Sequence, residues 1–180
     1  MNNTDHIEKA TLAGGCFWCM QPPFDALDGV ISTISGYAGG MEKYPSYEQV
    51  ASGQTSHAEV IQVAFDNREL SYKDILEVYW QQIDPTSANR QFVDVGPHYR
   101  SAIFYHDEEQ RQIAELSKQQ LQDSGLFSKP IVTEIKPLTA FYLAEEYHQD
   151  YYQTNPSRYK FYRYNSGRDQ FLERVWGEKK

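Results

Sequence analysis

The spacing of apolar positions predicts an alternation of strands and helices along most of the chain. Continuous or alternating apolar runs indicate strands, and apolar residues that recur every three or four positions indicate helices. The predicted strands are 7–13, 30–37, 58–66, 101–105 and 131–135. The predicted helices run from Cys16 towards Leu27, over 47–51, from Ser71 to before Pro85, from Asp107 to Gly125 and over 144–153.

Local signals mark the ends of several of these elements. Ser71 is followed three residues later by Asp74, which resembles a capping box, and Asp107 is the expected N-cap of the helix that it begins. The apolar residues expected to face inward in that helix are Ile113, Leu116 and Leu121. Residues 84–99 lack periodicity, and irregular chain of this length inside a compact domain is usually functional. Irregular structure is also expected beyond Pro156.

The order strand, helix, strand, strand, helix, strand is typical of the split βαβ plan. We therefore expect an α+β fold, a two-layer ferredoxin-like mixed sheet with helices, in which an extended irregular C-terminal segment wraps the outside. A chain of 180 residues is long enough for one domain with a substantial core. A single domain over residues 1–180 is expected.

Charge and hydropathy narrow the range of partners. The net charge is −8 and the pI about 5.1, which disfavours binding to nucleic acid or to an anionic membrane. No apolar run approaches the roughly 20 residues that span a bilayer, and Met1–His6 lacks the regions of a signal peptide. We expect a soluble, cytoplasmic protein whose Lys179-Lys180 pair is a solvated end.

The stretch from Gly14 to Cys19 carries the most distinctive chemistry. A Gly pair turns the chain after the first strand, and Cys16 stands where the first helix begins, so free N–H groups and the helix dipole should lower its pKa. Cys19 is the second of only two cysteines, and such a close pair suggests redox chemistry or metal binding. Pro22-Pro23 removes donors for the carbonyls of Trp18 and Cys19, so this turn should be loosely held.

Three classes of protein compete for this pattern. Cys16 and Cys19 could bind zinc with two histidines, His57 and His98, although no close histidine pair is present. A Cys-x-x-Cys after a strand is also typical of thioredoxin-like disulfide oxidoreductases, although Phe17 and Trp18 are bulky between the cysteines. An aromatic binding module for methylated ligands is the third possibility.

Several longer motifs together resemble a known family. They are Gly15-Cys16-Phe17-Trp18, Gly36-Tyr37-Ala38-Gly39-Gly40, His57-Ala58-Glu59, the run from Asp94 to Ile103, and Glu146-Tyr147-His148-Gln149-Asp150-Tyr151. In this order and spacing the chain resembles A-class peptide methionine sulfoxide reductases over nearly its whole length. The resemblance implies an enzyme that repairs oxidative damage by reducing the S epimer of methionine sulfoxide, free or in peptides and proteins. It implies no cofactor, no metal, a monomer, and thioredoxin or a similar dithiol as reductant.

The resemblance also assigns roles to individual residues. Cys16 would be the nucleophile, and Glu59, kept protonated by apolar surroundings, the general acid. Tyr37 and Tyr99 would donate hydroxyl hydrogen bonds to the sulfoxide oxygen, and Asp94 would orient neighbouring groups or an ordered water. Phe17 and Trp18 would form the pocket for the S-methyl group, since sulfur-bound methyls pack well on aromatic rings.

The recycling step departs from the usual pattern of the family. Many members use cysteines near the C-terminus to resolve the sulfenic acid, and this chain has none there. Cys19 is the internal candidate, but residues three apart on a helix have Cβ atoms about 5–6 Å apart, whereas a disulfide needs about 3.8 Å. Our hypothesis is that local unwinding lets Cys19 resolve Cys16 before thioredoxin reduces the pair. Direct attack by an external thiol is the alternative.

Overall fold

The computed structural model describes residues 5–177, and within them the chain forms eight strands, seven helices and two 3₁₀ turns. The N-terminal residues 1–4, used above to argue against a signal peptide, and the Lys179-Lys180 pair lie outside the described residues. No helix within residues 5–177 has the length and apolar character that a membrane crossing needs.

The strands and helices alternate through most of the chain. The strands are β1 (Ile7–Gly14), β2 (Val30–Ala38), β3 (Ala58–Asp66), β4 (Arg90–Gln91), β5 (Asp94–Val95), β6 (Ser101–Tyr105), β7 (Glu134–Pro137) and β8 (Phe141–Leu143). The helices are α1 (Phe17–Asp25), α2 (Tyr47–Ala51), α3 (Tyr72–Trp80), α4 (Glu108–Asp123), α5 (Tyr151–Thr154), α6 (Pro156–Ser166) and α7 (Arg168–Trp176). The 3₁₀ turns are Pro97–Tyr99 and Glu146–His148.

Six strands form one mixed sheet in the order β7-β6-β1-β3-β2-β8. All neighbours are antiparallel except β6 and β7, which are parallel. The pairing brings the end of β1 beside the start of β6, with Gly14 opposite Ser101. It also brings the end of β2 beside the start of β3, with Tyr37 opposite Glu59. The segments that carry the candidate site therefore lie together at one end of these strands.

Both faces of the central strand β3 are covered. One face joins the main core, in which Phe17, Met20 and Phe24 of α1 lie with Ile75 and Leu76 of α3. The other face belongs to a smaller apolar cluster that consists of Ala13, Ala38, Ala58, Val60, Ala102 and Phe104. An apolar strand covered on both sides explains why its two alternating faces are both hydrophobic in sequence.

The predicted caps are confirmed. The Ser71 hydroxyl accepts the N–H of Asp74 at 3.1 Å, and the Asp74 carboxylate accepts the N–H of Ser71 at 2.9 Å. Asp107 accepts the N–H of Gln110 at 2.8 Å. Each bond satisfies a donor that the start of a helix leaves free.

Four predictions about elements are wrong. Residues beyond Pro156 form helices α6 and α7 rather than an extended irregular segment. The expected helix over 144–153 is a 3₁₀ turn followed by the short α5, and the last predicted strand begins at Glu134. Leu116 is 59% exposed, because α4 packs on the sheet and α3 through only part of its surface.

Candidate active site

Cys16 occupies the junction between β1 and α1. Gly15 has φ +86°, a left-handed conformation that favours glycine, and a Cβ there would lie 2.6 Å from the Cβ of Gln91. This tight turn makes Cys16 the N-cap of α1, where its carbonyl accepts the N–H of Cys19 at 3.0 Å. The thiol is only 6% exposed. The sequence prediction of a cysteine at a helix start is confirmed.

Glu59 reaches the same helix start from β3. Its Oε2 accepts the N–H of Phe17 at 3.1 Å, and the side chain is 2% exposed. Burial raises the pKa of Glu59 to about 8, against the lowering effect of the Phe17 N–H, and the charge of Asp94 raises it further. Glu59 is therefore protonated in most protein molecules at neutral pH, as its apolar surroundings in the sequence led us to expect.

The expected low pKa of Cys16 is wrong for this geometry. The first free N–H of α1 is donated to Glu59, and burial raises the pKa of the Cys16 thiol, helped by a hydrogen bond with Cys19 and by the negative charge of Glu59. Cys19 behaves in the opposite way. The hydrogen bond from Cys16 lowers its pKa to about 7 despite burial, and the charges of Arg168 and Arg163 contribute in the same direction.

Two tyrosines lie near enough to Glu59 for its charge to act on their hydroxyls. Tyr37 is fully buried opposite Glu59, and its hydroxyl donates to Oε1 of Glu145 at 2.9 Å. Tyr99 ends the first 3₁₀ turn and is half-buried. Burial raises the pKa of both phenols, and for Tyr99 the charges of Glu59 and Asp94 add to it. Both side chains are thus neutral donors at physiological pH.

Asp94 enters the site from β5 and is held by a residue that the sequence analysis missed. The hydroxyl of Tyr162, in α6, donates to Oδ2 of Asp94. Burial raises the pKa of Asp94, while the Tyr162 hydrogen bond and the charge of Arg168 oppose the rise. The C-terminal helices therefore supply part of the site, although no local pattern around Tyr162 indicates such a contact.

Phe17 and Trp18 differ in burial and in their aromatic neighbours, although both contact His148. Phe17 is 1% exposed, with its ring centroid 6.0 Å from that of Tyr37 and 4.9 Å from that of His148. Trp18 is half-buried and stacks on Tyr151 at 3.7 Å with an interplanar angle of 7°. Its Nε1 donates to Nδ1 of His148 at 3.1 Å. Aromatic surface therefore lies beside the Cys16–Glu59 pair.

The prolines do not interrupt α1, which continues to Asp25. Pro23 cannot donate to the carbonyl of Cys19, but Nη1 of Arg163 does so at 3.0 Å. The prediction of a loosely held turn is wrong at Cys19, because a guanidinium group from α6 replaces the missing helical donor. Sequence reasoning missed Arg163, since 144 positions separate the two residues.

The geometry gives no support to a zinc site. Within residues 5–177, no group of three or more His, Cys, Asp or Glu side chains is placed to hold a metal ion. Both ring nitrogens of His57 form hydrogen bonds, Nδ1 with the N–H of Gly40 at 3.1 Å and Nε2 with the carbonyl of Glu42 at 2.7 Å.

A cavity of about 530 Å³ lies beside Trp80 and Trp176. Neither Cys16 nor Glu59 is among the residues that line it.

Comparison with known proteins agrees with this geometry. The model of the family described as peptide methionine sulfoxide reductase matches residues 8–180. Peptide methionine sulfoxide reductase MsrA of Bacillus licheniformis is 52% identical over 172 residues, which are 96% of this chain and 95% of that protein.

Solved structures show the same fold. The reduced form of Mxr1 from Saccharomyces cerevisiae is 33% identical, with a TM-score of 0.80 over 87% of this chain and 90% of that one. Mxr1 in complex with Trx2 is 24% identical in its alignment, with a TM-score of 0.60 over 81% and 86% of the two chains. The family match covers almost the whole sequence, including every motif around Cys16, and this chain therefore belongs to the peptide methionine sulfoxide reductase family.

Proposed function

We propose that the protein reduces the S epimer of methionine sulfoxide to methionine, with Cys16 as nucleophile and Glu59 as general acid. The observation that carries this proposal is the meeting of a thiol and a buried carboxyl at one helix start. The N–H of Phe17, the residue after Cys16, is bound by Glu59 at 3.1 Å, and the pKa of Glu59 is raised to about 8.

The first step needs a proton on the oxygen and a sulfur nucleophile. The Cys16 sulfur bonds to the sulfoxide sulfur while Glu59 gives its proton to the oxygen, and the thiol proton of Cys16 replaces it on the carboxylate. Collapse of this adduct transfers the hydroxyl to Cys16 and releases the thioether. A sulfoxide and a thiol thus become methionine and a sulfenic acid, and a Cys16 with a raised pKa can react because its proton leaves during the attack.

The neighbouring side chains support binding of the substrate in this step. Neutral Tyr37 and Tyr99 are donors for the sulfoxide oxygen, and Tyr37 would exchange its bond with Glu145 for one with substrate. Asp94 orients the groups around it through Tyr162. Phe17 and Trp18 bind the S-methyl group, at about 0.3–1.5 kcal/mol for each sulfur–aromatic contact.

The sulfenic acid is resolved by Cys19 in this proposal. Both cysteines are free and buried, and the interaction between their side chains raises the pKa of Cys16 and lowers that of Cys19. Formation of the Cys16–Cys19 disulfide releases water, and thioredoxin or a similar dithiol then reduces the disulfide. The complex of Mxr1 with Trx2 supports thioredoxin as the reductant.

The remaining proposals concern the whole chain. Strands β6-β1-β3-β2 are antiparallel neighbours, with α1 between β1 and β2 and α3 between β3 and β6. This order supports a split βαβ, ferredoxin-like unit, extended by β7 and β8. We further propose a single domain and a monomer that acts in the cytoplasm, where dithiol reductants keep its cysteines reduced.

Turnover of the two sulfoxide epimers tests the proposed function. Purified protein with excess dithiol should reduce the S epimer of a blocked methionine sulfoxide and leave the R epimer, and Cys16→Ser should abolish the reaction. Equal turnover of both epimers, or activity retained in Cys16→Ser, would contradict it. Reduction of insulin disulfides without sulfoxide turnover would instead favour a thioredoxin-like oxidoreductase.

A further inference from the structure

Two guanidinium groups from the C-terminal helices converge on the turn that carries Cys19. Arg163 of α6 donates from Nη1 to the carbonyl of Cys19 at 3.0 Å, and its side chain is only 16% exposed. Asp169 fixes its direction, because Oδ1 of that residue accepts from Nε at 2.8 Å and from Nη2 at 2.7 Å.

Arg168, at the start of α7, is the second and more deeply buried group. It is 1% exposed, and its donors bind the carbonyl of Gly14 at 3.1 Å and that of Gln82 at 2.6 Å. Its Nη1 lies 3.6 Å from Sδ of Met20, the residue after Cys19, and its Cζ is 4.7 Å from the centroid of the Phe92 ring. The guanidinium therefore touches both ends of the Gly14–Met20 segment.

Arg168 has no carboxylate in direct contact within residues 5–177, and Asp94 is a carboxyl on which its charge acts from a greater distance. The ion pairs formed within residues 5–177 do not include Arg168, and its Nε is buried without a hydrogen-bond partner there. A buried charge that is not paired is costly. Cys19 precedes Met20 in the chain, and the charges of both arginines act on its thiol, so a thiolate on Cys19 would offset part of that cost.

From this arrangement we propose that Arg163 and Arg168 are positioning residues for the resolving step, which hold Cys19 as the thiolate that attacks the Cys16 sulfenic acid. The inference rests on the proposed function. This chain has no cysteine after Cys19. Its last two helices instead supply Arg163 and Arg168, whose charges act on Cys19 of the Cys16–Cys19 pair.

The step balances without a further reactant. The Cys19 thiolate forms a bond to the Cys16 sulfur as the S–O bond of the sulfenic acid breaks. The departing hydroxide takes up from solvent one proton, equal to the one that the Cys19 thiol released when it ionised, and becomes water. The Cys19 sulfur is oxidised and the Cys16 sulfur is reduced, and both reach the disulfide level.

The charges around Cys19 favour its thiolate on balance. The ionisable groups that act on or respond to it come from α1, β3, β5, α6 and α7, and they are Cys16, Glu59, Asp94, Tyr159, Tyr162, Arg163 and Arg168. The two carboxyls oppose a thiolate, but burial raises the pKa of each and weakens that opposition. The two arginines add to the Cys16 hydrogen bond, and the pKa of Cys19 falls to about 7.

Titration of Cys19 alone tests the electrostatic part. In a Cys16→Ser background Cys19 is the sole cysteine, so the ultraviolet absorbance of the thiolate reports it, with Cys16→Ser/Cys19→Ala as the blank. The Cys16 hydrogen bond, the largest cause of the lowered pKa of Cys19, is altered in this background, so each variant is compared with its Cys16→Ser parent. We expect a midpoint about one pH unit higher in Arg163→Gln and in Arg168→Gln, which is a tenfold smaller thiolate fraction at acidic pH.

Variants that keep the positive charge, together with a surface variant, distinguish an effect of the charge from an effect on folding. Arg163→Lys and Arg168→Lys should keep the midpoint near that of the parent, and Arg158→Gln, an exposed arginine on α6, should leave it unchanged. Circular dichroism of each variant checks its fold. An unchanged midpoint in both glutamine variants would overturn the proposal, and so would an equal rise in the lysine variants.

Rapid kinetics of the protein with both cysteines test the catalytic part. After one turnover without reductant, the glutamine variants should lose thiols about tenfold more slowly below pH 7 and recover at alkaline pH, and this slowing should exceed any change in methionine formation. A slowing that is the same at every pH would indicate a structural role and overturn the proposal. Failure of the wild-type protein to form methionine would instead refute the proposed function, and one thiol remaining in the wild type would refute resolution by Cys19.

Discussion

Replacing Glu59 with glutamine should make the folded protein more stable at neutral and alkaline pH and make the enzyme much slower. The carboxyl is 2% exposed, and its pKa rises from an ordinary value of 4.5 to about 8. Glutamine has nearly the same shape and carries no charge, and its Oε1 can still accept the N–H of Phe17. The substitution thus removes the ionisable proton and keeps the hydrogen bond.

The sign and size of the change in the free energy of unfolding follow from the difference between the pKa of Glu59 in the folded and unfolded states. The folded state holds the Glu59 proton more tightly than the unfolded state, so the wild type is most stable below pH 4.5 and loses stability as pH rises to about 8. At about 1.4 kcal/mol per pH unit, the loss approaches 5 kcal/mol above that range. Relative to wild type, Glu59→Gln should gain about 1 kcal/mol near pH 5 and about 5 kcal/mol near pH 9.

Urea unfolding across this pH range measures the difference directly. Glu69→Gln, which removes an exposed carboxyl, is the matched control. If the difference between Glu59→Gln and wild type were the same at pH 5 and pH 9, Glu59 would be ionised in the fold at neutral pH. The argument for a protonated acid would then be refuted.

The same variant tests the catalytic role. General acid catalysis by a positioned side chain contributes about 10²–10⁴-fold, so methionine formation in a single turnover should fall by at least about 100-fold. The wild-type rate should decline above about pH 8, where Glu59 loses its proton, and this decline should disappear in Glu59→Gln. A variant within tenfold of wild type that keeps the alkaline decline would show that another group supplies the proton.

Further substitutions have distinct expected outcomes. Cys19→Ser should still form one methionine per enzyme and leave a sulfenic acid on Cys16, detected by mass spectrometry after trapping with dimedone. Tyr99→Phe and Tyr37→Phe should each slow methionine formation by about tenfold, since a buried hydrogen bond to a developing charge is lost; unchanged rates would remove the hydroxyls from the mechanism. Ile61→Ala, at a fully buried position, should cost about 2–5 kcal/mol in urea unfolding, whereas Ile31→Ala, at a position 55% exposed, should cost less than about 1 kcal/mol.

Elements with strong local signals were predicted well from the sequence. Helix α2 and strand β3 have the predicted limits, Tyr47–Ala51 and Ala58–Asp66. Gly53 follows the first closely and the second alternates over nine residues, so local sequence signals were enough to predict both. The cap at Asp107 was predicted for the same reason.

The two C-terminal helices were missed for different reasons. Helix α7 has apolar residues at helical spacing that we overlooked, namely Phe171, Leu172, Val175 and Trp176. Ser166 is the sole buried residue of α6, so that helix lacks the apolar stripe that an amphipathic helix usually shows. Two signals were nevertheless present. Pro156 occupies the first turn of α6, and Gly167, with φ +81°, ends it.

The electrostatics of the site depended on contacts that no local pattern reveals. A cysteine at a helix start suggested a low pKa, but Glu59, 42 positions from Phe17, takes the N–H that would have stabilised the thiolate. Arg163 lies 144 positions from the carbonyl that it binds. The resemblance supplied the residue types, and only the folded chain places Arg163 and Arg168 where their charges act on Cys19.

We propose that Cys16 and Cys19 act in sequence within one turnover, and a count of free thiols against product tests this order. Reduced enzyme is mixed with the S epimer of a blocked methionine sulfoxide without reductant, and free thiols and methionine are measured together. We expect one methionine and the loss of both thiols for each protein molecule. No methionine with two intact thiols would contradict it.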